Sequence, residues 1–171
     1  YRRKIGFRHV EVVGNRLLVN GAPIRLTGVN RHDARMRSGR SMRTEDLRHD
    51  VLAFRHANIN VIRTAHYPAD PRLLEICDEL GMYVQDQMPI CFAAGFDDHH
   101  WTRTNDAAHL VPYVLEVTAE VVARDQGHAS VLIWDLANET QGAWGGYAQL
   151  ALVRQMDASR PTLFSFDLNQ L

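Results

Sequence analysis

The sequence is poor in cysteine: Cys77 and Cys91 are the only two in 171 residues. Two cysteines cannot build a disulfide framework or a four-cysteine zinc site. No apolar run approaches the roughly 20 residues that a membrane span requires. The opening Tyr1-Arg2-Arg3-Lys4 leads into no apolar signal core. Charge of one sign is also lacking. The formal net charge is −1, which gives no electrostatic reason to expect a nucleic-acid or membrane partner. Neither GxGxxG nor GxxxxGKS/T occurs, so no phosphate loop opens a helix. A GxSxG elbow is absent, which argues against a serine hydrolase. Nothing in the sequence demands export, which favours the cytoplasm. A signal upstream of Tyr1 would be compatible with every residue seen.

What is present fits one globular domain. Apolar residues make up 46% and charged residues 23%, ordinary values for a chain that buries a core. Charge is uneven, however. Residues 1–40 hold nine Arg and Lys4 against Glu11 and Asp33, a net +8, and the remainder carries −9. The arginines are scattered, with few aromatics among them to stack bases, so solvated strand faces and loops account for them better than a nucleic-acid arm does.

Strand and helix patterns alternate. Leu17-Leu18-Val19 and Ile24–Val29 read as short strands around an Asn20-Gly21 hairpin turn. Thr44 is placed to cap a helix with Glu45 and Asp46 in its first turn, and Leu47, Val51, Phe54 and Ala57 follow helical spacing. Asn60–Thr64 reads as a strand. Asp70-Pro71 then opens a helix whose face is Leu73, Leu74, Ile76, Cys77 and Leu80, and Gly81 ends it. Cys77 is therefore expected in the core. Met82–Gln85 is the next strand, and residues 88–110 form a long irregular segment. Pro112 opens a helix with Val114, Val117, Thr118, Val121 and Val122 on one face. Ser130–Trp134 is an apolar strand. A Gly142–Gly146 loop leads to a helix near 147–157, and Thr162–Phe166 is a last strand. This alternation predicts an α/β fold with a parallel sheet and crossover helices. Either a doubly wound sheet or part of a (β/α)₈ barrel fits.

Polar residues collect just after each strand: Asn30, Arg31, His32 and Asp33; Arg63, His66 and Tyr67; Asp86 and Gln87; Asn138 and Glu139; Asp167 and Asn169. In parallel α/β folds the carboxyl ends of the strands share the face that carries chemistry. Asn138-Glu139 follows an apolar strand at once, where a charge is costly without a purpose. His32, Asp33, His66, Asp86 and Glu139 are all metal-ligand types. No HxH or HExxH spacing joins them, and His99-His100 are adjacent, so neither a metal nor a cofactor is expected.

At these residues the sequence resembles glycoside hydrolase family 2, the family of β-galactosidase and β-glucuronidase. The resemblance rests on Ile5-Gly6-Phe7-Arg8, Asn20–Ile24 through Gly28–His32, Ile62–Pro68, Cys77–Gly81, Arg124–Val131 and Ile133–Glu139. It implies a partial (β/α)₈ TIM barrel holding about the first five strands. Residues 1–13 are then the tail of a preceding β-sandwich domain, and 14–171 the N-terminal half of the barrel domain. It also implies retaining hydrolysis of β-glycosides. Glu139 matches the general acid/base, and Asn138 the asparagine that binds the sugar 2-hydroxyl. His66, His32 and Asp33 match the wall of the sugar site, and Arg63 the arginine beside the nucleophile. Asp86 completes the substrate-binding set.

Two departures stand out. No glutamate follows Glu139, although a retaining enzyme needs a second carboxylate about 5 Å from the first. Asp167 is next in order but does not match the family's nucleophile motif. Many relatives carry Asp-Glu on the third strand, where this chain has Asp86-Gln87. A full barrel takes about 250 residues, so truncation explains the missing nucleophile. The expectation is a fragment that is inactive alone, that belongs with a carbohydrate substrate, and that self-associates through exposed barrel edges. The alternative is a non-catalytic carbohydrate-binding module on the same scaffold.

Overall fold

A computed structural model describes residues 4–91, 108–139 and 144–164. Two sheets are present. The first is a small antiparallel sheet of β1 (Val10–Val13), β2 (Arg16–Val19) and β3 (Ala22–Ile24). Asn20 and Gly21 both have positive φ, 52° and 78°, the backbone a two-residue hairpin turn demands. The boundary expected between residues 13 and 14 falls at the turn that joins β1 to β2.

The second sheet holds five parallel strands: β4 (Gly28–Arg31), β5 (Val61–Thr64), β6 (Tyr83–Gln87), β7 (Val131–Asp135) and β8 (Thr162–Leu163). Helices α1 (Thr44–His56), α2 (Pro71–Leu80), α3 (Val111–Asp125) and α4 (Trp144–Met156) connect them in turn. The spatial order β4-β5-β6-β7-β8 equals the chain order. A doubly wound sheet reverses direction at a switch point. Steady stepping in one direction is instead the barrel pattern, so the sheet is a partial α/β barrel.

The run Ile24–Val29, read from sequence as one strand, divides between the two sheets. Asn60 holds the division: its Oδ1 accepts from the Thr27 N–H at 2.8 Å and its Nδ2 donates to the Arg25 carbonyl at 2.8 Å. Gly28 is required just beyond, because a Cβ there would lie 2.6 Å from Val61 Cγ1. The α1 start also differs by one residue. Arg43 occupies the N-cap and Thr44 is the first helical residue, since Asp46 turns back to accept from the Arg43 N–H at 3.3 Å. The α2 ends are as expected. Asp70 accepts from the Arg72 N–H at 2.9 Å, and Gly81 adopts φ 68° at the C-cap.

The core lies between sheet and helices. Leu47 and Val51 of α1, Leu73, Leu74 and Cys77 of α2, and Val121 and Val122 of α3 pack with Ile62, Val84 and Trp134 of the sheet. Burial pushes the Cys77 thiol up to about 12, with Asp78 adding to the effect. Side chains alternate along each strand, so Ile62, Val84 and Trp134 face the helices while Arg63, Gln85, Gln87 and Asp135 face the concave side. No helix among the described residues is long and apolar enough to cross a membrane.

Candidate active site

Register aligns a polar row across the concave face. Asn30 lies beside Arg63, Arg63 beside Gln85, and one step further along Gln87 lies beside Asp135. Gln87 and Asp135 end their strands, and Asn30 and Arg63 lie one residue before the ends of theirs. Below them a depression of about 310 Å³ is lined by Gly28, Asn30, Val61, Arg63 and Gln85, among others. A second depression of about 430 Å³ lies at the opposite end of the sheet, around Asp78, Glu79 and His128. It is remote from the polar row.

Arg63 is the hub of the row. Its Nε donates to Asp135 Oδ2 at 2.6 Å. Its Nη1 donates to Asn30 Oδ1 at 3.3 Å, and its Nη2 to Asn138 Oδ1 at 3.1 Å. Asn138 is held a second way, by its backbone N–H to the Ile90 carbonyl at 2.8 Å. Its Nδ2 donates to Cys91 Sγ at 3.4 Å. Glu139 follows directly, half-buried, with φ 47°. A non-glycine residue in that left-handed region is held there by its surroundings.

His66 joins the row through Gln87. The Gln87 Nε2 faces two acceptors, Asp135 Oδ2 at 2.8 Å and the Ala137 carbonyl at 3.3 Å. Its Oε1 therefore points to His66 Nδ1, 2.8 Å away. Arg63 Nη1 also lies 3.4 Å from that nitrogen, but the Gln87 contact is far shorter and decides the proton. A hydrogen on Nδ1 satisfies it, and in that tautomer Nε2 is the acceptor. The peptide bond Ala65–His66 is cis. The His32 ring stands edge-on to His66 with centroids 5.2 Å apart and lies 5.9 Å from the Tyr67 ring. The Arg40 guanidinium covers the Tyr67 ring at 4.0 Å.

Asp33 and Asp86 are placed otherwise than the sequence led us to expect. Asp33 is buried, and its carboxylate is committed: Oδ1 accepts from Arg31 Nη1 and Oδ2 from the Asp70 N–H at 3.0 Å. Its own N–H donates to the Tyr67 hydroxyl at 3.1 Å. These bonds fix the loop that carries His32. Asp86 points to the helix side, because its neighbours Gln85 and Gln87 both reach Asp135 on the concave side. It is fully buried, and accepts from Thr64 Oγ1 at 3.3 Å. Burial, then the Asp125 carboxylate, drive its carboxyl well above the usual range. Asp86 thus lies in the core on the helix side of the sheet, away from the polar row.

The described geometry therefore brings together Asn30, Arg63, His66, His32 and Asn138, with Glu139 next to Asn138 in the chain. Asp167, Asn169 and the adjacent His99-His100 lie outside the described residues. Sequence reading missed Asp135, although a charge ending the apolar run Val131–Trp134 is the same signal that marked Glu139. Gln85 was missed as well. Among the described residues no cluster of three or more His, Cys, Asp or Glu could hold a metal ion.

Comparison with known proteins identifies the family of the fold. The chain matches the family model for glycosyl hydrolases family 2, TIM barrel domain, over residues 10–170. It is similar to the β-galactosidase of Photobacterium profundum, 37% identical over 161 residues, which is 94% of this chain and 15% of that protein. Similarity to the β-galactosidase of Streptococcus thermophilus is 34% over 92% of this chain and 16% of that protein. Among solved structures, the β-D-glucuronidase of Dictyoglomus thermophilum superposes with a TM-score of 0.87 at 26% identity, covering 96% of this chain and 30% of that one. For the Ruminococcus gnavus β-glucuronidase the TM-score is 0.86 at 29% identity, covering 99% and 30%. The chain thus spans about 15% of the length of the curated relatives it matches.

Proposed function

The chain belongs to glycosyl hydrolase family 2, through its TIM barrel domain, and from that premise we propose that it carries the acid/base side of a retaining β-glycosidase site. The observation that carries this reading is the Arg63 clamp on Asn138. Arg63 occupies Asn138 Oδ1 and Cys91 Sγ takes one hydrogen of the amide nitrogen, so the second hydrogen of Nδ2 is the one suited to donate to a sugar 2-hydroxyl. That bond strengthens as the oxocarbenium-like transition state forms. Glu139, one residue on, protonates the departing glycosidic oxygen. In the second step it takes the proton from the attacking water. His66 accepts a sugar hydroxyl at Nε2, and the exposed His32 ring flanks the same place.

The nucleophile is proposed to come from a glutamate outside residues 1–171, since none follows Glu139. The substrate class is β-galactosides, β-glucuronides or β-mannosides. Arginine is the residue type that marks a uronate carboxylate, but Arg31 turns to the helix side of the sheet, and Arg63, which faces the cleft, already has an acidic partner. Arg31 pairs with Asp33 and Asp50, and Arg63 with Asp135. We also propose that the 171-residue chain self-associates. β4 and β8 are the outer strands of the described sheet, and outer strands present backbone groups to pair. A clean monomer by light scattering at high concentration would contradict this.

The test is a panel of nitrophenyl β-glycosides, hydrolysed by this chain, by a version extended through a complete barrel, and by that version with Glu139→Gln. Activity confined to the extended form and lost in Glu139→Gln supports the reading and names the sugar. An inert extended form that still binds sugar would favour a carbohydrate-binding module instead.

A further inference from the structure

We propose that Asp135 is the positioning residue of this site, acting on the sugar 2-hydroxyl through Arg63 and Asn138. The proposal rests on the glycosidase reading above and adds a residue to it. Asp135 ends β7 with no exposed side-chain surface. A single oxygen, Oδ2, receives three hydrogen bonds: from Arg63 Nε at 2.6 Å, Gln85 Nε2 at 2.8 Å and Gln87 Nε2 at 2.8 Å. A buried carboxylate is expensive unless paired and hydrogen-bonded, and this one is both.

Two of these bonds fix something further along. The Nε contact sets the rotation of the Arg63 guanidinium, and with it the place of Nη2 against Asn138 Oδ1. The planar fork allows no independent movement of the two nitrogens. The Gln87 contact turns that amide so that its Oε1 meets His66 Nδ1, which sets the histidine tautomer. Both polar arms that reach the sugar from β5 and β7 therefore take their orientation from one buried oxygen. Asp135 itself need never touch substrate. Positioning of this kind affects the transition state more than ground-state binding, because the 2-hydroxyl contact is strongest there.

Two measurements test the proposal. The first is kinetic, on the extended barrel: Asp135→Asn is compared with wild type on an aryl β-glycoside and on its 2-deoxy analogue. The expected result is a fall in kcat of about 10²-fold on the 2-hydroxy substrate. KM should change little, and the 2-deoxy substrate should lose only a small part of that factor. Equal losses on both substrates would show a general structural role and overturn the proposal. The second measurement needs no catalysis, so it stands even if the glycosidase reading fails. Thermal midpoints of Asp135→Asn, Arg63→Met and the double variant are measured on the chain. Strong coupling is expected, with Asp135→Asn costing much less once Arg63 is gone. Additive shifts would overturn the clamp itself.

Should Asp135→Asn fail to fold, the exchanged pair Gln87→Glu with Asp135→Asn decides, since these two residues are register partners and the exchange conserves net charge. A folded exchanged pair with its 2-hydroxyl dependence intact supports the proposal, and an unfolded one overturns it.

Discussion

Asp86 and Asp135 lie on adjacent strands of one sheet, and neither exposes any surface. Their surroundings are opposite. Asp135 looks to the concave side and receives three donors on one oxygen. Asp86 looks to the helices, receives one hydroxyl, and faces a second carboxylate. The first environment stabilises a charge, and the second expels one. One sheet thus separates two jobs by the alternation of its side chains. The concave side holds hydrogen-bonded polar groups, and the helix side holds the core.

Removing either carboxylate should therefore have opposite consequences. Asp135→Ala leaves the part-buried Arg63 guanidinium without this counter-ion and is expected to cost about 3 kcal/mol by urea unfolding. A loss below about 1 kcal/mol would mean that water replaces the carboxylate, and the contrast between the two sides would collapse. Thr64→Val comes next. Its hydroxyl donates to Asp86 and accepts from the Gln87 N–H at 2.8 Å, so the change orphans a buried N–H and should cost about 1–3 kcal/mol.

Asp86→Asn tests the sign. The folded carboxyl titrates well above its unfolded value. Its contribution to stability is thus complete below the unfolded value and declines as pH rises through the folded one. Relative to wild type, Asp86→Asn should gain stability as pH climbs from the ordinary carboxylate range into the neutral one. A flat difference across that interval would show that Asp86 is ionised in the fold. The smallest effect belongs to Lys4→Ala. Its pair with Glu79 is 2.6 Å long but the lysine is 83% exposed, and solvent screening leaves such a pair little net effect, so the urea midpoint should not move measurably.

Much of this was legible in the sequence. The helix limits at Asp70-Pro71 and Gly81, the Asn20-Gly21 turn and the alternation of strand and helix are local signals, and local signals survive folding. The gathering of Asn30, Arg63, His66 and Asn138 followed from their positions after strands. What stayed hidden depended on partners far along the chain. In Gln85-Asp86-Gln87 three polar residues run together along one strand, so sequence gives no phase, and only pairing with β7 shows which of them turns inward. Asp33 reads as a cleft residue until the Asp70 N–H, 37 residues away, claims its oxygen. Asp135 was obscured by the apolar run it ends, because the donors that make it tolerable come from β5 and β6.

The central claim is that Glu139 is the proton donor to the leaving group. The most direct measurement is kcat/KM on the extended barrel for aryl β-glycosides of graded leaving-group pKa, in wild type and Glu139→Gln. The account predicts a shallow dependence in wild type and a steep one in the variant, with poor leaving groups losing about 10²–10⁴-fold and the best losing little. Parallel dependences in the two proteins would contradict it and remove Glu139 from the proton transfer.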